Sequence, residues 1–92
     1  MDTSNLTKEQ IKNKIDFIIR EELGLFDDDI IDPNIEISVA FDADSLNHIC
    51  ILMDIENEFN INIRYEDCDN LKTPQALYDY VLKGVQHDEQ KD

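Results

Sequence analysis

Three segments of this chain carry apolar residues at helical spacing, and that pattern constrains the fold more than any other feature. The first segment begins after Thr7, which forms a capping-box pattern with Gln10, and it ends at Gly24. The last segment begins at Thr73-Pro74, a pairing typical of a helix start. The apolar positions are Ile11, Ile15, Ile18, Ile19 and Leu23 in the first segment, and Ala76, Leu77, Tyr80, Val81 and Val85 in the last.

The middle segment differs because its apolar residues do not form a single stripe. Asp44 is the predicted N-cap residue. The apolar residues that follow are Leu46, Ile49, Ile51, Leu52, Met53, Ile55 and Phe59. One face of such a helix can enter the core. The other face needs a second explanation, which is either a ligand cavity or a partner protein.

The segment from Gly24 to Ala43 is ambiguous. Apolar and other residues alternate at Ile35, Ile37, Val39 and Phe41, and again at Ile61, Ile63 and Tyr65, which alone would indicate two paired strands. An isolated two-stranded ribbon is only marginally stable, and three helices are already available to build the core. We therefore predict a long loop pinned by its apolar residues, and one short turn of helix at Tyr65–Asp69. Loops this long are usually functional.

The length of 92 residues allows one domain with a small core. We predict a polar tail over Met1–Leu6, a domain over residues 7–85, a helix stop at Gly84 and a frayed tail over Gln86–Asp92. The polar N-terminus indicates no signal peptide, and the longest apolar run, Ile49–Met53, is too short to cross a bilayer. The two cysteines, Cys50 and Cys68, are too few for a disulfide framework. A soluble, cytoplasmic protein of a reducing compartment is therefore expected.

The charge of −14 is distributed unevenly along the chain. No Lys or Arg lies between Glu21 and Ile63, whereas twelve carboxylates do. Such a field repels nucleic acid and anionic membranes and attracts basic proteins. The acidic run Asp27-Asp28-Asp29 lacks the glycine and spacing of a calcium-binding loop, so no metal site is predicted.

Four stretches resemble the acyl carrier protein family. They are Phe41-Asp42-Ala43-Asp44-Ser45-Leu46, the helix Ile49–Phe59, the segment with Ile61-Asn62-Ile63 and Glu66-Asp67, and Thr73-Pro74-Gln75-Ala76-Leu77-Tyr78-Asp79-Tyr80-Val81. Residues 44–81 fit the family pattern without a gap. The resemblance implies an all-α four-helix bundle, with three main helices, a short third helix and a long loop after the first helix. An all-α fold disfavours the interpretation of the two alternating segments as strands.

The resemblance also implies that a phosphopantetheinyl transferase attaches 4′-phosphopantetheine from coenzyme A to Ser45, between Asp44 and Leu46. Acyl groups would then be carried as thioesters and presented to acyl synthases and acyltransferases with basic docking patches, in fatty acid, lipid or polyketide-type biosynthesis. The implied docking residues are Asp42, Asp44, Leu46, Ile49, Met53, Asp54, Glu56 and Ile63. The implied acyl-cavity residues are Ile51, Leu52, Ile55, Phe59, Leu71 and Leu77.

The chemistry of a helix start supports Ser45 independently. A serine that follows an N-cap residue lies in the first helical turn, exposed to solvent. A phosphodiester there meets the positive end of the helix dipole, an interaction of roughly 0.3–1 kcal/mol. Asp44 opposes it by like charge, so we assign Asp44 to capping and enzyme recognition.

Several departures from the family pattern indicate a specialised carrier. Asp42 replaces a usual glycine, Arg64 replaces a frequent proline, and His48 and Cys50 replace small polar or acidic residues. An alternative function is an acidic helical interaction module whose serine is never modified. A Ser45–His48 nucleophile is disfavoured, because a small bundle with two glycines offers little for an oxyanion hole. We therefore expect a monomeric carrier without enzymatic activity of its own.

Overall fold

The computed structural model describes the backbone of residues 6–91 and the side chains of residues 6–85. Within these residues all regular structure is helical, which confirms the all-α prediction. The helices are α1 (Lys8–Leu23), α2 (Ile37–Phe41), α3 (Ser45–Phe59), a 3₁₀ helix (Tyr65–Asn70) and α4 (Pro74–Lys91). The short turn predicted at Tyr65–Asp69 is this 3₁₀ helix.

The core lies where α1 packs against both α3 and α4. Each of the three helices buries apolar residues there, but the α4 face differs from the prediction, because Tyr78 is buried whereas Ala76 and Tyr80 are half-buried. The buried residues of these helices are Ile11, Ile15, Ile18 and Ile19, then Ile51, Leu52, Ile55 and Phe59, and finally Leu77, Tyr78, Val81 and Val85. Ile31, Ile37, Ile63 and Leu71 complete the core from the connecting segments.

The predicted starts of α1 and α4 and the predicted end of α1 are confirmed by hydrogen bonds and backbone geometry. The Thr7 hydroxyl accepts from the Gln10 backbone N–H at 3.1 Å, and the Gln10 side chain accepts from the Thr7 N–H at 2.8 Å. Gly24 ends α1 in the left-handed conformation, with φ of 66°. At the start of α4 the Thr73 hydroxyl accepts from the Ala76 N–H at 3.2 Å.

A buried polar pair that the sequence analysis did not identify links α1 to α4. The Tyr78 hydroxyl donates to the carboxylate of Asp16, and both residues are buried. The Lys12 ammonium lies 3.4 Å from the other carboxylate oxygen. Burial, together with the hydrogen bond to Asp16, raises the pKa of Tyr78. These contacts satisfy a carboxylate that would otherwise be costly to bury.

The connection from Gly24 to Ala43 corrects part of the prediction. It is not a loop throughout, because residues 37–41 form α2. The alternating apolar residues of this connection do not form a strand. Ile31 and Ile37 are buried and anchor the connection, as expected. Two backbone hydrogen bonds also hold it, from the Ile37 N–H to the Lys72 carbonyl and from the Gln75 N–H to the Pro33 carbonyl, each 3.0 Å. Alternation over four apolar residues could not distinguish a strand from a short helix with exposed members.

The predictions at the two termini need a second correction. The backbone of α4 continues through Gly84 to Lys91, so Gly84 does not end the helix. A glycine inside a helix is unfavourable but tolerated, and a Cβ at position 84 would meet the Ile61 side chain at an ordinary van der Waals distance of 3.7 Å. Leu6, assigned to the N-terminal tail, packs against the core. Residues 1–5 and Asp92 lie outside the described residues.

Candidate functional site

Ser45 is the first residue of α3 and is exposed to solvent, as predicted. Asp44 caps the helix, with its carboxylate accepting from the Asn47 N–H at 2.9 Å. The Asn47 side chain reciprocates, accepting from the Asp44 N–H at 3.1 Å. The N–H groups of the first two helical positions have no partner within a helix. The cap therefore fixes the Ser45 hydroxyl beside polar backbone groups at the positive end of α3.

The turn before Ser45 shows how Asp42 substitutes for the expected glycine. Asp42 ends α2 in the left-handed conformation, with φ of 54° and ψ of 42°. Glycine adopts this conformation without strain, whereas aspartate tolerates it at some cost. The tight turn is thus formed by a residue that also adds a negative charge three positions from Ser45.

An open groove of about 780 Å³ runs alongside Ser45. Its walls come from α2, α3, the 3₁₀ helix and the segments between them, and they include Ser45, Ile49, Leu52 and Ile63. Lys72, Ser38 and Tyr65 also line it. The sequence analysis did not identify these last three, because no local pattern shows which distant segments meet beside α3.

His48 lies one helical turn after Ser45 and lines the same groove. Its Nε2 atom is buried and has no hydrogen-bond partner among the described residues. This atom therefore does not hydrogen-bond the Ser45 hydroxyl, and a serine activated by Nε2 is not formed.

The second apolar face of α3 is exposed. Leu46 is 67% exposed, Ile49 52% and Met53 55%, although the opposite face of the same helix is fully buried. These three side chains belong to the predicted docking set, and so do the exposed carboxylates of Asp42, Asp44 and Asp54. An exposed apolar row with acidic neighbours is suited to a partner that is apolar at its centre and basic around it.

The other two predicted docking residues are less exposed to solvent. Ile63 is buried. Glu56 is half-buried, and its carboxylate accepts from the Ile63 N–H at 2.7 Å. Glu56 therefore stabilises the chain reversal after α3, and its charge is partly committed to that contact.

The six predicted cavity residues are all buried, but they are not all near the groove. Leu52 lines the groove wall. The other five, Ile51, Ile55, Phe59, Leu71 and Leu77, are among the core residues of the bundle. A role in holding an acyl chain stays a prediction for all six.

The neighbouring cysteine does not offer a competing thiolate. Cys50 is half-buried, and burial followed by the carboxylates of Glu22 and Asp54 raises its pKa. Cys68, which lines the groove, also has a raised pKa, first because of burial and then because of Asp69. Both thiols are held in the protonated, weakly nucleophilic form near neutral pH.

The described residues contain no cluster of His, Cys, Asp and Glu able to hold a metal ion. In the described part of the chain, no helix has both the length and the apolar character needed to span a bilayer.

The residues present fit a phosphopantetheine arm. Ser45 offers an exposed hydroxyl, the start of α3 favours a phosphate, and the groove offers a path along the protein. His48, whose buried Nε2 has no partner among the described residues, also lines this groove.

Comparison with known proteins agrees with this geometry. Residues 13–81 match the family described as phosphopantetheine attachment site. The chain is 37% identical over 78 residues to the acyl carrier protein of Chlorobium phaeobacteroides, which covers 85% of this chain and 99% of the relative. It is 35% identical over 77 residues to the acyl carrier protein of Buchnera aphidicola, covering 84% and 97%. It is 32% identical over 78 residues to that of the alga Cyanidioschyzon merolae, covering 85% of each chain.

Three findings lead to one conclusion: the sequence match over most of the chain, the helical fold and the exposed serine at the start of α3. This chain belongs to the acyl carrier protein family, whose cofactor is 4′-phosphopantetheine.

Proposed function

We propose that Ser45 carries the 4′-phosphopantetheine and that the protein holds acyl intermediates as thioesters on the end of this arm. The observation that carries the proposal is the position of Ser45, exposed as the first residue of a capped helix and beside a groove. The chain itself catalyses no step in this account. Its part is to fix the attachment point and to present the arm to other enzymes.

The attachment reaction needs only a reachable hydroxyl and a suitable phosphate environment. A phosphopantetheinyl transferase supplies the group from coenzyme A, and the Ser45 oxygen forms the new phosphodiester bond as 3′,5′-adenosine bisphosphate leaves. The start of α3 favours the resulting negative charge. Asp44 disfavours it by like charge. Its carboxylate caps α3 through the Asn47 N–H, and we assign its charge to recognition by the partner enzymes.

The partner enzymes are acyl synthases and acyltransferases of fatty acid, lipid or polyketide-type biosynthesis in the cytoplasm. Their docking patches are expected to be basic and to have an apolar centre. Support comes from the exposed Leu46, Ile49 and Met53 and from the absence of Lys and Arg between Glu21 and Ile63. Charge complementarity of this kind raises association rates and is weakened by salt.

Intact-mass measurement tests the proposal. The folded protein is incubated with coenzyme A and a promiscuous transferase, and the expected result is the addition of one phosphopantetheine. Ser45→Ala should abolish the addition. Ser38→Ala is a matched control, because Ser38 is also exposed and lines the same groove, and it should leave the addition unchanged. No added mass on the folded wild-type protein would favour an acidic interaction module without a cofactor.

A further inference from the structure

The Nε2 atom of His48 is the one buried side-chain nitrogen or oxygen without a hydrogen-bond partner among the described residues. Nearly all buried polar atoms in folded proteins are paired, so an exception calls for an explanation. Leaving such an atom unpaired costs free energy, because it has lost its hydrogen bonds to water and gained none in the protein. A ligand that supplies a partner for Nε2 therefore recovers part of that cost.

The position of His48 limits which ligand this can be. His48 is three residues after Ser45 on α3, so the two side chains lie on the same side of the helix. Both line the same groove. A group attached to the Ser45 oxygen and lying in the groove therefore shares that space with His48.

The residues around His48 do not provide the missing partner. The Asp44 carboxylate is engaged by the Asn47 N–H, and the Asn47 side-chain oxygen accepts from the Asp44 N–H. The backbone N–H of His48 itself donates to the Asp44 carbonyl at 3.1 Å. The polar groups nearest in sequence are thus already paired within the cap.

On this basis, which depends on the proposed attachment at Ser45, we propose that His48 is a positioning residue for the prosthetic arm. Nε2 accepts a hydrogen bond from an amide N–H of the pantetheine portion. A neutral group fits better than the phosphodiester, because bringing a charge to a water-excluded atom carries a larger desolvation cost. His48 as a whole is half-buried and lines the groove, so the residue lies at the boundary between the core and the groove.

The consequence is a carrier whose arm is partly held along α3. A net hydrogen bond of this kind changes the ratio of held to released arm about fivefold, which corresponds to about 1 kcal/mol. The apolar residues Leu52 and Ile49, which line the same groove, provide a surface for the methyl groups of the arm. Holding the arm at its base would limit the directions in which the thioester is presented.

Nuclear magnetic resonance of the imidazole nitrogens tests this directly in the wild-type chain. The ¹⁵N-labelled protein is recorded before and after loading, and intact mass confirms that loading is complete. The Nε2 signal of His48 should move on loading. The signals of His87, which lies outside the family match at residues 13–81, should stay in place and serve as an internal control.

A second measurement follows the arm itself. Coenzyme A with ¹⁵N-labelled amides is used for loading, and the hydrogen exchange of those amides is measured. Exchange in the wild type should be about fivefold slower than in His48→Phe, which keeps a ring without the nitrogens. His48→Gln, whose side-chain amide can replace Nε2, should stay within about twofold of the wild type.

The outcomes separate this inference from the proposed function. A folded wild-type chain that takes no arm would overturn both. Complete loading with an unchanged Nε2 signal, or equal exchange rates in the wild type and His48→Phe, would overturn the role of His48 alone.

Discussion

The cap at the start of α3 combines two roles that substitution can separate. Asp44 stabilises the helix through its hydrogen bond to the Asn47 N–H at 2.9 Å, and it also places a negative charge beside Ser45. Asp44→Ala removes both the hydrogen bond and the charge. Asp44→Asn removes the charge but keeps a good N-cap side chain.

The expected stability changes follow from the cap geometry. Asp44→Ala should lower the free energy of unfolding by about 1 kcal/mol, the usual cost of losing an N-cap side chain. The loss is limited to the carboxylate bond, because the reciprocal bond from the Asp44 N–H to the Asn47 side chain does not require the carboxylate. That loss corresponds to a fall of about 4–8 °C in Tm for a domain of this size. Asp44→Asn should change the free energy of unfolding by less than about 0.5 kcal/mol.

Urea unfolding followed by circular dichroism gives the stabilities, and transferase kinetics at low and high salt give the effect of the charge. We expect Asp44→Asn to be loaded more slowly than the wild type at low salt, with a smaller difference at high salt. An Asp44→Ala variant as stable as the wild type would refute the capping argument. Equal, salt-independent loading of Asp44→Asn would refute the assignment of its charge to recognition.

Three further predictions concern the scaffold around the site. Tyr78→Phe should lower the free energy of unfolding by about 1.5–3 kcal/mol, measured in urea, because it leaves the buried Asp16 carboxylate short of a donor. Because burial and the Asp16 bond raise the Tyr78 pKa, unfolding is favoured as the pH rises above the unfolded value of about 10. Tyr78→Phe should therefore reduce the fall in the free energy of unfolding at alkaline pH by up to about 1.4 kcal/mol per pH unit. If the variant and the wild type lose stability equally with pH, the assignment of this effect to Tyr78 is wrong. Asp42→Gly should raise the unfolding free energy by about 0.5 kcal/mol in the same assay, since it relieves the positive φ, and a loss would contradict this. Met53→Ala should cost under about 0.5 kcal/mol whereas Ile55→Ala costs about 2–5, and similar costs would contradict the two-faced helix.

Helical spacing and capping residues were sufficient to predict the long elements of this fold. Thr7, Asp44 and Thr73 each cap the helix assigned to them, because an N-cap is a local interaction that depends on residues a few positions apart. The exposed position of Ser45 follows from the same local rule. These features needed no knowledge of the tertiary structure.

The features that sequence analysis did not predict depend on contacts between distant segments. The Asp16–Tyr78 pair joins residues 62 positions apart, and nothing in either local pattern indicates a buried carboxylate. Residues 37–41 form α2 in a segment where the Ile37 N–H is held by the carbonyl of Lys72 from beyond the 3₁₀ helix. The groove has the same origin, since Lys72 and Tyr65 reach it only through the packing of the 3₁₀ region against α3.

The central claim is that one hydroxyl, that of Ser45, is the attachment point. The most direct measurement is peptide mapping by tandem mass spectrometry after enzymatic loading of the folded protein. The chain has three serines, at positions 4, 38 and 45, so the modified residue can be identified unambiguously. We predict that the phosphopantetheine lies on Ser45 alone. Attachment at another residue, or a folded chain that remains unmodified, would contradict the account.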